Sequence, residues 1–85
     1  MSMKELVEII ARALVENPSA VQVAEREEEG EIKIDLRVAQ EDMGRVIGKQ
    51  GRIAKAIRTV VKAAAVRKNI MRITVDIDQA PESEA

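Results

Sequence analysis

Apolar residues fall into five blocks of two periods along the chain. In the first, Leu6, Ile9, Ile10, Ala13 and Leu14 recur at helical spacing, and Ser2 with Glu5 three residues later forms a capping box. This predicts a helix over 3–16, stopped by Asn17-Pro18 because proline lacks the amide donor. The second block is an alternation: Val21 and Val23, then Glu28-Glu29-Gly30, then Ile32, Ile34, Leu36 and Val38 interleaved with Lys33, Asp35 and Arg37. A period of two broken by a glycine predicts a hairpin over 20–38. Helical spacing returns with Met43, Val46 and Ile47 behind Glu41 and Asp42, predicting a short helix over 41–47. Gly48-Lys49-Gln50-Gly51 then reads as a loop, and Ile53, Ile57, Val60, Val61 and Ala64 mark a second helix over 52–67. Met71, Ile73, Val75 and Ile77 alternate with Arg72, Thr74 and Asp76 in a last strand over 70–77. Residues 79–85 are acidic, small and broken by Pro81, and read as a disordered tail behind a single domain over 1–78.

The order αββααβ defines an α+β fold. A two-helix crossover between the second and third strands joins parallel strands. The expected architecture is therefore a three-stranded mixed sheet with helices packed on one face.

Composition narrows the chemistry. The 85 residues contain no Cys, His, Phe, Tyr or Trp, so the core must be aliphatic, and disulfides, thiolate sites and imidazole catalysis are excluded. An enzyme is not expected, nor are a cofactor, a metal or a small-molecule substrate. The N-terminus carries no export signal and no stretch is apolar enough for a membrane span, which makes the cytoplasm the expected compartment. Charge is segregated: residues 43–75 carry nine Lys and Arg and no acid, while the rest of the chain sums to −10. A cationic block of that density suits a polyanion, and charge alone fits a pair of solvated helix faces equally well.

The tetrapeptide Gly48-Lys49-Gln50-Gly51 gives that block a candidate grip. Two residues without Cβ let a sugar-phosphate chain approach the backbone closely, and the helix beyond Gly51 presents free amides and the positive end of its dipole. Lys49 adds a charge, with Arg45, Arg52 and Lys55 close in sequence. Val46, Ile47 and Ile53 are expected to form an aliphatic floor for unpaired bases. Other readings fit less well. A phosphate-binding nucleotide loop needs four residues between its glycines and Ser or Thr after its lysine, whereas Gly44 and Gly48 have three residues between them and Gln50 follows Lys49. The pair Gly44 and Gly48 also fails as a membrane-helix contact, because Asp42, Arg45 and Lys49 flank it. The acidic cluster from Glu25 to Glu31 reads as a solvated hairpin end rather than a metal site.

The run from Gly44 to Ile53, Gly-Arg-Val-Ile-Gly-Lys-Gln-Gly-Arg-Ile, closely resembles the V-I-G-x-x-G-x-x-I signature of KH domains, and the element order resembles their type II form. From about Met3 to Asp78, with the likeness densest over Asp42 to Arg58, the chain is similar to the short bacterial single-KH proteins of the KhpA family. That resemblance implies binding of single-stranded RNA through Gly48, Lys49, Gln50 and Gly51, and a role as an RNA chaperone. It also implies self-association, pairing with a larger Jag-type KH partner, KhpB, and a role in cell elongation and peptidoglycan homeostasis. Ala56, Val60, Ala63 and Val66 are the expected dimer surface, being small or apolar positions of the second long helix that one sheet face leaves uncovered. The alternative is a KH-fold interaction module with incidental RNA affinity. Without aromatic side chains to stack on, a single copy is expected to bind RNA weakly, at micromolar affinity or below.

Overall fold

The computed structural model describes residues 1–80, apart from the Lys49 side chain. The expected tail is therefore outside the described residues from 81 onward. Five main elements follow one another: α1 (Met3–Leu14), β1 (Gln22–Glu28), β2 (Glu31–Val38), α2 (Gln40–Arg67) and β3 (Ile73–Gln79), with a single 3-10 turn at Pro18–Ala20. Strand β2 lies in the centre of the sheet, antiparallel to β1 and parallel to β3.

Local chemistry sets most boundaries. The Ser2 hydroxyl accepts from the Glu5 amide while the Glu5 carboxylate accepts from the Ser2 amide, which closes the N-terminus of α1. At the other end α1 stops at Leu14, two residues short of the sequence expectation. The Glu16 and Asn17 amides turn away from the helix to donate to the Asp42 carboxylate, each at 3.0 Å. Between β1 and β2, Glu29 and Gly30 both take left-handed φ values, 51° and 80°. This is what a two-residue hairpin turn compatible with strand twist requires.

Helix α2 runs from Gln40 to Arg67, yet within it Gln50 and Gly51 have φ of 64° and 68°. No right-handed helix passes through two such residues. The element is two helical segments, 40–49 and 52–67, meeting at an elbow, and the fold is αββααβ. The expected loop 48–51 is thus shorter than the sequence suggests, with Gly48 still on the first segment. At the far end, Asn69 takes φ 59°, the Ile70 amide bonds the Ala65 carbonyl at 2.9 Å and the Asn69 amide bonds the Val66 carbonyl at 3.2 Å. That pair of bonds is a Schellman closure. It keeps Ile70 and Met71 out of the sheet, so β3 begins at Ile73 rather than 70. The strand then runs to Gln79, which pairs with Val38. Gln79, assigned from sequence to the tail, belongs to the sheet.

The core lies between the helices and one sheet face. Val7 and Ala11 of α1, Ile34, Leu36 and Val38 of β2, Val46, Ile57, Val61 and Ala65 of α2, and Val75 of β3 are among its members. The outer sheet face is charged, with Arg26 bonded to Asp35 at 3.0 Å. Among the described residues no helix is long and apolar enough to cross a membrane.

Candidate nucleic-acid interface

The elbow of α2 is held from behind by Asp42. Its carboxylate is 1% exposed and accepts from the backbone amides of Glu16 and Asn17 and, at 3.2 Å, from the Asn17 side chain. Burial pushes this carboxyl up. The hydrogen bonds from Glu16 and Asn17, together with the Arg45 charge, outweigh that and leave it below its ordinary range. The first segment of α2 is thereby tied to the end of α1.

Beside the elbow runs a cleft lined by Ile47, Gln50, Gly51, Ala54, Lys55, Arg58 and Ile77, bounded by α2 on one side and β3 on the other. Ile47 is half exposed at 50%. Strand β3 is an edge of the sheet. The Ile32 amide bonds the Arg72 carbonyl and the Ala80 amide bonds the Val38 carbonyl. By strand alternation, Ile73, Val75 and Ile77 therefore turn their backbone groups away from β2. Arg58 meets one of them, its Nε and Nη2 donating to the Val75 carbonyl at 3.3 and 3.2 Å. The cleft thus combines an aliphatic surface, two cations, a glycine backbone and the edge-strand groups of Ile77, a set able to hold an unpaired base and its phosphate.

The residues singled out from sequence divide between two sides of the elbow. Ile47, Gln50, Gly51 and Lys55 line the cleft. Arg45, Gly48, Arg52 and Ile53 line a separate hollow with Gly44. Arg45 is partly committed there, its Nη2 lying 2.8 Å from the Glu16 carboxylate. Val46 needs correction: expected beneath the bases, it is 1% exposed and packs in the core, because the first segment docks with that side inward. Neither glycine of the elbow has a neighbour within 4 Å of where a Cβ would stand. The space above Gly48 and Gly51 is open to a ligand.

Ala54, Arg58 and Ile77 complete the cleft without having been singled out as site residues. A usable signal existed for Arg58, which follows Gly51 and Lys55 at helical spacing on the polar side of the apolar stripe. Ile77 gave none, since its alternation marks it only as facing the helices. On the second segment, Ala56, Val60 and Ala63 are exposed and share one face. Val66, 75% exposed, is turned roughly 90° from them at 3.6 residues per turn, toward β3.

A helix-turn-helix elbow with a glycine pair, inserted between two parallel strands of an αββααβ sheet, defines a KH domain of type II. The chain belongs to the KhpA/KhpB KH-domain family, whose model matches residues 4–77. It is 61% identical over 75 residues to the RNA-binding protein KhpA of Clostridium acetobutylicum, covering 88% of this chain and 99% of that one. The KhpA proteins of Caldanaerobacter subterraneus and Aquifex aeolicus are 60% and 45% identical, over 88% and 89% of this chain and 99% and 95% of theirs. No solved structure matches the chain.

Proposed function

We propose that this protein binds single-stranded RNA, with the Gly48-Lys49-Gln50-Gly51 elbow gripping the backbone and the adjoining cleft receiving bases. The observation that carries this reading is the junction of the left-handed Gln50-Gly51 step with a cleft holding Ile47, Lys55, Arg58 and Ile77. A KH elbow clamps about four nucleotides in this way. The absence of aromatic residues leaves grip to backbone hydrogen bonds, aliphatic contact and charge, so each copy binds weakly and several copies bind better. The relatives' name, RNA-binding protein KhpA, supports the same ligand. An RNA-chaperone role suits a weak, sequence-tolerant grip. Self-pairing through Ala56, Val60 and Ala63, or pairing with a KhpB-type partner, would supply a second grip. A role in cell elongation and peptidoglycan homeostasis rests on the family resemblance alone.

The test is the double substitution Lys49→Asp with Gln50→Asp. Aspartate tolerates the left-handed backbone of position 50 better than most residues, so the circular-dichroism spectrum and melting temperature should stay near wild type. Affinity for a short single-stranded RNA should fall by about tenfold or more, since two charge-assisted contacts become repulsions. Unaltered affinity in the folded variant would sink the proposal.

A further inference from the structure

The cleft beside the elbow does not end at Arg58. Arg58 also lines a second hollow with Val61, Lys62, Ile73, Thr74 and Val75. Lys62 and Ile73 in turn line a third, with Glu31, Ala65, Val66, Ile70, Met71 and Arg72. The shared residues make one trench between α2 and β3, from Gly51 to Val66. At a rise of about 1.5 Å per residue that is roughly 22 Å. The Arg58 side chain crosses it to the Val75 carbonyl and divides it into a part beside the elbow and a part beyond.

Resting on the RNA reading above, we propose that the part beyond Arg58 is a second nucleotide compartment. In it Lys62 and Arg72 take further phosphates of the same strand, and Met71 and Ile73 lie under its bases. Two properties favour this occupant. The first is charge. Lys62 has no ion-pair partner among the described residues, and Arg72, its own side chain 68% exposed, faces only Glu31, at 3.5 Å. Glu31 is further engaged by the Thr74 hydroxyl. With Arg58 at its near end, the compartment keeps a surplus of positive charge, which suits a polyanion. The second is Met71, held outside the sheet by the Schellman closure and 93% exposed. An unpacked thioether beside two cations suits the face of a nucleobase, since sulfur contacts aromatic rings favourably. The opposite face of α2, with Ala56, Val60 and Ala63, remains available for protein contact.

The experiment compares four-nucleotide and eight-nucleotide single-stranded RNA, each titrated at several salt concentrations, on the wild type and on Lys62→Ala/Arg72→Ala. Length alone offers an eight-mer about five registers on a four-nucleotide clamp, which raises apparent affinity without changing the salt dependence. Salt dependence is therefore the readout. Two added phosphate contacts steepen the log-log slope by about 1.4. The eight-mer's advantage should then shrink about sevenfold between 50 and 200 mM salt for the wild type. In the variant the four-mer should bind as it does to wild type, and the two lengths should share one slope. A wild type that binds both lengths with equal slopes overturns the compartment and leaves the elbow reading standing. So does a variant that retains the difference, or one that changes sedimentation while binding RNA normally, which would mark a protein contact. Failure of the wild type to bind either length overturns both.

Discussion

Asp42 shows how a single side chain can position a site it does not enter. Buried in contact with the Glu16 and Asn17 amides, it ends α1 and fixes the first segment of α2 at once. Asp42→Ala would leave part-buried donors without their acceptor, and a loss of about 2 kcal/mol in stability is expected by urea unfolding. The carboxyl's native pKa is depressed, so protons bind the unfolded chain more readily than the folded one. Its contribution is whole above the ordinary Asp value of 3.8 and is lost as pH falls through the lower native value. Glu5, through its bonds with Ser2, and Glu28, through Lys33 and Arg26, are shifted the same way. Thermal melts from pH 7 down to pH 2 should show stability declining at the acid end, with a shallower decline in Asp42→Asn. Equal acid sensitivity in the two proteins would remove Asp42 as a cause.

At the scale of the element, the two elbow glycines carry different burdens. Gly48 sits on the first helical segment with open space at its Cβ position, whereas Gly51 holds a φ of 68°. Gly48→Ala should raise stability by about 0.5–1 kcal/mol, because alanine is the better helix former. Gly51→Ala should lower it by about 1–2 kcal/mol, because a Cβ is strained in the left-handed region. Both should weaken RNA binding, since each puts a methyl where the nucleic-acid backbone must approach. A Gly48→Ala protein that is more stable and binds RNA as well as wild type would contradict the role given to that glycine. The elements themselves were legible wherever one period ran unbroken. The alternation from Ile32 to Val38 gives β2, and the stripe from Ile53 to Ala64 gives the second segment of α2. Boundaries set by partners distant in sequence were not. Asp42 reads as a carboxylate near a helix start, and nothing local says that it will accept from the Asn17 amide just past α1, 25 residues away. Val46 and Ile47 are equally apolar, and only docking of the segment decides that the first faces the core and the second the cleft. The Arg58 bond to Val75 likewise exists only once α2 lies beside the sheet edge.

The whole molecule presents two differently made surfaces along α2. The side toward β3 is cationic and creviced, while the side bearing Ala56, Val60 and Ala63 leaves small and apolar positions uncovered between Arg52 and Arg67, with Val60 42% exposed. Small side chains allow a second helix to approach closely, and a two-fold contact there would leave both clefts open. Sedimentation equilibrium at micromolar concentration should therefore show a dimer, and the melting temperature should rise with concentration. Val60→Asp should yield a monomer whose affinity for long RNA falls more than its affinity for a four-mer. A strict monomer with a concentration-independent melting temperature would contradict self-association.

The central claim, that RNA lies in the cleft between the α2 elbow and β3, is met most directly by amide chemical-shift mapping. A uniformly nitrogen-15-labelled sample would be titrated with a short single-stranded RNA. Shifts should concentrate on residues 47–58 and on Val75 and Ile77, with Glu16 and Asn17 moving little. Shifts centred on β1 and the charged outer sheet face, or an unchanged spectrum at saturating RNA, would contradict it.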